Sequence, residues 1–285
     1  MRPVPTPRTQ PISRGIWAVI TTLLMSVPAI AGANPITAYQ SGEKLTYDVK
    51  VMGSPAGTGT LQVGKARKVR GKKVTPIIGE VKSANVFHNV YPVDDRILSL
   101  VNSQLVPVRT EMKIREKTLK RDLLIQYDPK RKRATGQKSK NGRTRDFDRR
   151  VPANTQDMLS WLYKIRTLDY ENGDTFAMTG FSGNFVYDIR MKRKEKTTIF
   201  TSLGNKEAWP LEVTVTRRGG RKRFKKEAMI WMGTDANRTP LRLEVELKVG
   251  DVRVDLASIH RPGAPKAKVT AKQTLPSLPF SWQTP

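Results

Sequence analysis

The alternation of apolar and polar residues predicts a chain built almost entirely of β-strands around one helix. From Leu45 to Leu256 most segments alternate with a period of two, as strands with one buried face do. The exception runs from Thr155 to Leu168, where apolar residues recur at spacings of three and four, which predicts an amphipathic helix. Asn154 and Asp157 offer an N-cap pair at its start.

The clearest hairpin pattern lies near the end of the chain. Alternating apolar residues run from Leu241 to Val249 and from Val252 to Leu256, with Gly250-Asp251 as the turn between them. The polar residues of these strands, Arg242 and Asp255 among them, are expected to face water.

The order of the elements predicts the fold class. Strand follows strand with short links on both sides of the helix, which favours an antiparallel meander over parallel βαβ units. About a dozen strands in one domain would curl rather than stay flat. We therefore predict a mainly β fold, a large antiparallel meander curled into a barrel or sandwich, with one amphipathic helix packed on or across it.

The N-terminus has the pattern of a secretory signal peptide. Three arginines precede the uncharged residues 15–32, a run that holds a short apolar core and ends in small residues. That apolar core is too short to span a bilayer comfortably. Cleavage is expected after Ala31 or Ala33, and an uncleaved membrane anchor is the alternative. The predicted organisation is a signal peptide over 1–33, a single β-rich domain over 40–260, and a disordered tail rich in Pro and Lys over 261–285.

Composition narrows the possible partners and chemistries. The chain has no cysteine, which excludes disulfides, a thiol nucleophile, cysteine-ligated metals and a lipobox. Its 52 Lys and Arg against 25 Asp and Glu give a formal net charge of +27, typical of proteins that meet nucleic acid, anionic membrane or acidic polymer. Because an exported protein rarely meets nucleic acid, we expect lipid, lipopolysaccharide or another anionic envelope polymer instead, with peripheral membrane contact.

The basic residues concentrate in two segments, 129–150 and 217–226, which we predict to be a solvated hairpin or loop and a hairpin turn. Either they bind an anionic surface or they only keep a basic protein soluble. The candidate residues for anion binding are Lys130, Arg131, Lys132, Arg133, Arg221, Lys222 and Arg223.

A polar cluster at Asp94, Asp95 and Arg96 follows a break in the alternation. One carboxylate could serve a hydrolase acting on an envelope polymer if a second carboxylate or His88 lay beside it in a cleft. The alternative is a turn acid paired with Arg96, and neighbouring strand residues point to opposite faces. The sequence has no nucleophile elbow, phosphate-binding glycine loop, dinucleotide fingerprint or histidine spacing for zinc, so we predict no catalytic residue, cofactor or metal.

The helix either completes the core or forms one wall of a hydrophobic cavity against the sheet. In the second case Trp161, Leu162 and Ile165, with Tyr91, are the candidate pocket residues.

Several segments together resemble a known family. They are Gly42 to Val49 with Pro55-Ala56-Gly57, Val90 to Arg96, Asp157 with Leu159 to Leu168, and Asp235 to Leu243 with the final hairpin. This set resembles the bacterial envelope proteins grouped as domain of unknown function 3108, over Gln40 to Ile259. The resemblance implies an exported Gram-negative protein with a β-rich domain, and it implies no catalytic residue.

These observations predict a monomeric, non-catalytic protein of the periplasm or cell envelope. Its expected function is to bind a lipidic or anionic envelope component, or to act as a scaffold at the envelope. A hydrolase and a purely structural partner in an envelope complex are the alternatives.

Overall fold

The computed structural model describes residues 39–69, 71–219, 225–247 and 250–263. Within these ranges it contains sixteen strands and two helices. The strands are β1 (Lys44–Val51), β2 (Ser54–Val63), β3 (Arg67–Val69), β4 (Lys72–Ser83), β5 (Asp94–Val101), β6 (Pro107–Glu116), β7 (Leu119–Asp128), β8 (Arg133–Lys140), β9 (Arg143–Arg150), β10 (Thr175–Phe181), β11 (Val186–Arg193), β12 (Thr197–Thr201), β13 (Gly204–Arg217), β14 (Lys225–Gly233), β15 (Pro240–Leu247) and β16 (Gly250–His260). The helices are α1 (Asn85–Val90) and α2 (Met158–Ile165).

The strands form one large antiparallel sheet. Their order is β10-β11-β13-β14-β15-β16-β1-β2-β4-β5-β6-β7-β8-β9, with β12 beside β13 and β3 beside β4. The order follows the chain except that β16 pairs with β1, which places the first and last strands in the middle of the sheet. The prediction of a mainly β antiparallel meander with a helix packed on it is confirmed.

The sheet curls until its two ends face each other, but it does not close. In the described residues β9 and β10 are the ends of the sheet and share no ladder. Phe147 of β9 and Phe181 of β10 nevertheless belong to one buried cluster, with ring centroids 6.1 Å apart. The fold is therefore barrel-like with an open seam between β9 and β10.

A short segment before α2 bridges part of this seam. Gln156 forms a parallel bridge with Gly180 of β10: its amide donates to the Thr179 carbonyl at 2.8 Å, and its carbonyl accepts from the Phe181 amide at 2.9 Å. The chain thus leaves the β9 end, contacts the β10 end and enters the helix directly afterwards.

Helix α2 is shorter than the apolar spacing predicted, and its N-cap is Asp157 alone. Asp157 Oδ1 accepts from the Ser160 amide at 2.7 Å, and Ser160 Oγ accepts from the Asp157 amide at 2.9 Å, which forms a capping box. Asp157 Oδ2 accepts from Ser99 Oγ at 2.5 Å and from Thr110 Oγ1. The cap therefore also ties the helix to β5 and β6. Asn154, the predicted partner, lies outside this cap.

The helix contributes to two of the four apolar clusters of the described residues. Leu159 and Tyr163 pack with residues of β2, β4 and β5, whereas Ile165 and Tyr170 pack with residues of β11, β13 and β14. Gly79 of β4 allows the close approach, since a Cβ there would lie 2.9 Å from Leu159 Cδ2.

A buried ion pair fixes the other end of the helix. Arg166 and Glu43 are both fully buried, and the guanidinium donates to the two carboxylate oxygens at 2.7 and 3.1 Å. Arg166 Nε also donates to the Asn237 carbonyl at 3.0 Å. Arg261, just after β16, donates to Glu43 Oε2 at 2.9 Å and to Thr239 Oγ1 at 2.7 Å. The network links the start of β1, the end of α2 and the end of β16.

Two further local predictions change. The segment 85–96 contains the second helix, α1, where the sequence predicted only one helix. Asp255 is 6% exposed rather than facing water, because Arg242, Arg253 and Lys50 surround its carboxylate at 2.6, 2.8 and 3.6 Å. Arg242 Nη2 also donates to the Phe200 carbonyl of β12. The predicted hairpin at 240–260 is present as β15 and β16, and the basic segment 129–150 contains β8 and β9. Residues 1–33 and 264–285 lie outside the described residues.

Replacement of Arg166 tests the buried network. Arg166→Met should lower the free energy of unfolding by about 3 to 5 kcal/mol, because it leaves the Glu43 carboxylate buried with an incomplete set of partners. Urea denaturation followed by circular dichroism measures this. Arg218→Met is the matched control: its pair with Asp188 is exposed, and about 1 kcal/mol or less should be lost. A double variant Glu43→Met/Arg166→Met that is as unstable as Arg166→Met alone would contradict the explanation.

Candidate functional site

The open seam contains a cavity of about 640 Å³ that we call the seam cleft. It lies between the strands β6 to β9 on one side and the β10–β11 connection with β11 on the other. Its lining includes five basic residues and no acidic one. The basic residues are Arg121, Lys138, Lys140, Arg143 and Arg145.

The strand register arranges these cations in two rows. Lys140 lies opposite Arg121 of β7 on one side and Arg143 of β9 on the other, and these three form what we call the outer row. Lys138 lies opposite Leu123 of β7 and Arg145 of β9, which form the inner row. Because residues two apart on a strand share a face, both rows project from the same face of the sheet.

The same face of β7, β8 and β9 belongs to the hydrophobic core two residues further along each strand. The next row contains Ile125 and Phe147, both buried, on either side of Gly136. The face thus changes from apolar core to cationic surface over two residue pairs along each strand.

The acids of these strands lie on the opposite face. Asp122 pairs with Arg115 at 2.7 Å and Asp148 with Arg133 at 2.6 Å, while Asp146 accepts from Gln137 Nε2 at 3.1 Å. None of the five basic residues in the cleft forms an ion pair with an acid of the described residues. Since like charges opposite each other on neighbouring strands are unfavourable, the rows concentrate positive charge that the fold leaves unneutralised.

The rest of the lining is largely apolar. Met112 continues the inner row on β6, next to Leu123, which is 7% exposed. On the opposite wall Phe185 is 41% exposed, with the Arg217 guanidinium 4.5 Å from its ring centre, and Tyr187 lies beside it. A bound molecule would therefore meet an apolar wall and a set of cations in the same cavity.

The β10–β11 connection is held close to the cationic wall. Lys138 Nζ donates to Asn184 Oδ1 across the seam. Gly183 has φ of +81°, and a Cβ there would lie 2.6 Å from Leu123 Cδ1. Glycine is required both by the backbone angle and by the contact, so this loop lies directly against the cationic wall.

Sequence reasoning located only part of this site. Four of the five cations fall in the predicted basic segment 129–150, but Arg121 and the residues of β11 come from elsewhere in the chain. A usable signal was present in β9, where Arg143, Arg145 and Phe147 alternate with Asp146 and Asp148. That alternation separates basic and acidic residues onto two faces.

The predicted anion-binding residues Lys130 to Arg133 lie elsewhere, at the β7–β8 turn, which is the other end of the β7 and β8 strands. Arg131 pairs with Asp128 at 3.7 Å and Arg133 with Asp148, so two of the four are already ion-paired. Arg221, Lys222 and Arg223 lie outside the described residues.

The predicted pocket residues of the helix lie in the core rather than in the seam cleft. Ile165 is buried, and Trp161 and Leu162 pack half-buried against the same cluster. Tyr91 is the C-cap of α1, with its ring 6.4 Å from that of Phe87. Helix residues line neither the seam cleft nor a second cavity of about 880 Å³ beside β1 and β13 to β16. In that second cavity the acids Glu212 and Glu244 already pair with Lys194 and Arg253.

The predicted polar cluster is spread over two faces of β5. Asp94 pairs with Lys82 at 3.7 Å, and Arg96 pairs with Glu80 at 3.1 Å. Asp95 accepts from the Arg115 amide at 2.8 Å. His88 is exposed, with Nδ1 2.9 Å from Ser83 Oγ. Among the described residues no group of three His, Cys, Asp or Glu could hold a metal ion.

Burial makes the Asp95 carboxyl a weaker acid than usual. Burial is the largest cause that raises its pKa, the neighbouring Glu116 raises it as well, and the hydrogen bond from the Arg115 amide lowers it; the resulting pKa is about 6. Burial, with Glu116 and Asp95 close by, also raises the pKa of Tyr91. The shift marks a crowded group of acids at the start of β5.

Comparison with known proteins places the chain among β-rich proteins without an assigned activity. The family model described as Protein of unknown function (DUF3108) matches residues 46–257. No curated protein matches the chain. Neither helix of the described residues is long and apolar enough to cross a membrane.

Three solved structures are similar. A β-barrel-like protein of the domain of unknown function DUF1849 from Brucella abortus has 10% identity and a TM-score of 0.51, with 77% of this chain and 97% of that chain covered. A protein described as exported, with a YmcC-like fold, from Bacteroides fragilis has 10% identity and a TM-score of 0.33, with 78% and 97% covered. A protein described as a lipoprotein from Parabacteroides distasonis has 9% identity and a TM-score of 0.33, with 78% and 96% covered. The Brucella protein supports the barrel-like fold alone.

The raised pKa of Asp95 predicts a pH dependence of stability. A carboxyl whose pKa is higher in the folded than in the unfolded chain stabilises the fold below the ordinary value near 3.8 and loses that contribution as pH rises through about 6. Asp95→Asn should therefore flatten the fall in the free energy of unfolding between pH 4 and 7. Urea denaturation across this range measures it, with Asp146→Asn, at an exposed position on β9, as the control. Equal pH profiles for Asp95→Asn and the wild type would refute the assignment.

Proposed function

The chain belongs to the family of proteins of unknown function DUF3108, and for it we propose non-catalytic binding of an anionic amphiphile in the seam cleft. The observation that carries this proposal is the pairing of five unneutralised cations with an apolar wall in one cavity. The cations alone or the apolar wall alone would have an ordinary explanation, because surface cations keep proteins soluble and apolar side chains near a seam extend the core.

The cations and the apolar wall would bind different parts of one ligand. The cationic rows attract a phosphate, sulfate or carboxylate head group, most strongly through the guanidinium groups of the three arginines. Met112, Leu123 and Phe185 offer contact to a hydrocarbon chain, and each buried methylene contributes about 0.8 kcal/mol. A sugar polymer without an apolar part would leave that wall unused.

The compartment proposed for this function is the envelope of a Gram-negative bacterium. The signal-peptide pattern of residues 1–33 supports export, and a bacterial envelope is rich in phosphorylated lipids. Lipid and lipopolysaccharide both combine acyl chains with anionic groups, and both fit the chemistry of the cleft. A neighbouring membrane surface would also attract a protein of this net charge.

The alternatives gain less from the structure. A hydrolase based on Asp94 or Asp95 would need a second acid or His88 beside one of them in a cleft. Glu116 does lie beside Asp95, but Asp94 and Arg96 are engaged in separate surface pairs. Neither acid lines the two cavities described above. Scaffolding and the monomeric state stay predictions.

Lipid binding is tested with lipids that have one acyl chain, used below their critical micelle concentrations. Lysophosphatidate should bind the wild-type protein in isothermal titration calorimetry, zwitterionic lysophosphatidylcholine should bind more weakly, and glycerol 3-phosphate, which has no acyl chain, should not bind measurably. Arg143→Glu/Arg145→Glu should weaken lysophosphatidate binding by about tenfold or more, because two attractive contacts become repulsive.

The control for this test removes the same charge elsewhere. Arg190→Glu/Lys192→Glu lies on the outward face of β11, where both side chains are exposed, and should keep the wild-type affinity to within about twofold. Equal weakening by the two variants would show that net charge, not the cleft, determines binding. Tight binding of glycerol 3-phosphate would reject the amphiphile in favour of a small anion.

Export is tested by the mature N-terminus. In a Gram-negative host the protein should appear in the periplasmic fraction, and mass spectrometry should find it starting at Gly32 or Asn34. Ala31→Leu/Ala33→Leu should block this processing, because signal peptidase requires small residues there. Recovery of the wild-type chain in the membrane fraction with its first residues intact would support the uncleaved anchor instead.

A further inference from the structure

The two cationic rows of the seam cleft indicate how many charged groups the head group carries, in addition to the sign of its charge. We infer that the ligand carries two phosphoryl groups on an apolar tail, one held by the outer row and one by the inner row. This inference rests on the proposed function and adds to it the number of charged groups in the head group.

Charge balance is the first argument. The cleft has five cations without an acid among its lining residues. A phosphomonoester carries about −1.5 to −2 charges at pH 7, so one such group would leave an excess of about +3. Two groups, with about −3 to −4 charges, bring the cleft close to neutrality. A ligand with one phosphate would leave most of the cross-strand repulsion in place.

The spacing of the rows is the second argument. Same-face residues two positions apart on a strand are separated by about 7 Å, whereas directly opposite residues on neighbouring strands are only about 5 Å apart. The cations within one row can therefore converge on one anion, and the two rows form separate positions. The outer row offers Arg121, Lys140 and Arg143, and the inner row offers Lys138 and Arg145.

The inner row keeps free donors although Lys138 contacts the opposite wall. An ammonium group has three N–H donors, and one of those of Lys138 points to Asn184. Arg145 makes no ion pair with a described acid, and its guanidinium can bind a phosphate through two parallel hydrogen bonds. The inner row can therefore hold an anion without releasing the β10–β11 connection.

Protection of the exposed sheet edge does not explain the rows. Charged residues often guard edge strands against pairing with another chain. In the described sheet only β9 of these three strands is an edge, whereas Arg121 and the two lysines lie on β7 and β8, which are paired on both sides. An edge guard would require cations on β9 alone.

The test compares head groups on one tail by isothermal titration calorimetry. Farnesyl diphosphate should bind the wild-type protein at least about tenfold more tightly than farnesyl monophosphate, as a second set of charge-assisted hydrogen bonds requires. A second arm compares lysophosphatidylinositol with its 4-phosphate, whose two phosphoryl groups are separated by the inositol ring. A preference in either arm supports the inference, and the arm that shows it tells whether the two groups are adjacent or apart.

Row variants identify the two positions. Lys140→Gln/Arg143→Gln and Lys138→Gln/Arg145→Gln should each reduce the affinity for the doubly phosphorylated probe to near that for the singly phosphorylated one. Arg190→Gln/Lys192→Gln removes one Arg and one Lys from the outward face of β11 and should keep the tenfold preference. Circular dichroism and thermal unfolding establish that each variant is folded.

The outcomes separate this inference from the proposed function. Equal affinity for one and two phosphoryl groups in the wild type overturns the inference and leaves anionic-amphiphile binding intact. A preference that survives loss of either row, or that disappears in the β11 control, also overturns it. If none of the four probes binds, the proposed function fails as well.

Discussion

The buried pair of Glu43 and Arg166 is the interaction on which the arrangement of the whole sheet depends. Neither charge has access to water, so each requires the other, and Arg166 also donates to the carbonyl of Asn237. Arg261 brings the end of β16 to the same carboxylate. One carboxylate thereby joins the first strand, the helix and the last strand, which are far apart in the sequence.

The helix position in turn determines the seam. Asp157 ties the start of α2 to β5 and β6, and Gln156 just before it bridges to β10. A helix anchored at both ends occupies the interior that a closed barrel of this size would otherwise have to fill with longer side chains. The two sheet ends approach each other around it without pairing, and the space left between them is the seam cleft.

The fold followed from the sequence because periodicity and turn residues agree along most of the chain, as at Gly250-Asp251 in the final hairpin. The short helix α1 was missed since six residues give too few repeats to show a helical period. The burial of Asp255 depends on ion pairs with Arg242 and Lys50 of the two neighbouring strands, and Lys50 is so distant in sequence that no local pattern contains this contact. The sequence predicted one part of the candidate site, the basic run of β8 and β9. It did not predict the apolar wall, which comes from β6 and β11. Only the curl of the sheet brings these parts together.

The open seam has a mechanical consequence. The two walls of the cleft belong to opposite ends of one continuous sheet. The distance between them therefore depends on the twist angles between all pairs of neighbouring strands from β10 round to β9, added together. A small change of twist at each pair, which breaks no ladder hydrogen bond, adds up over the whole circuit to a large change in the gap. The rows of cations lie where side-chain contacts rather than ladder hydrogen bonds join the two walls, and an anion that draws the walls together would do so by tightening the coil of the entire domain.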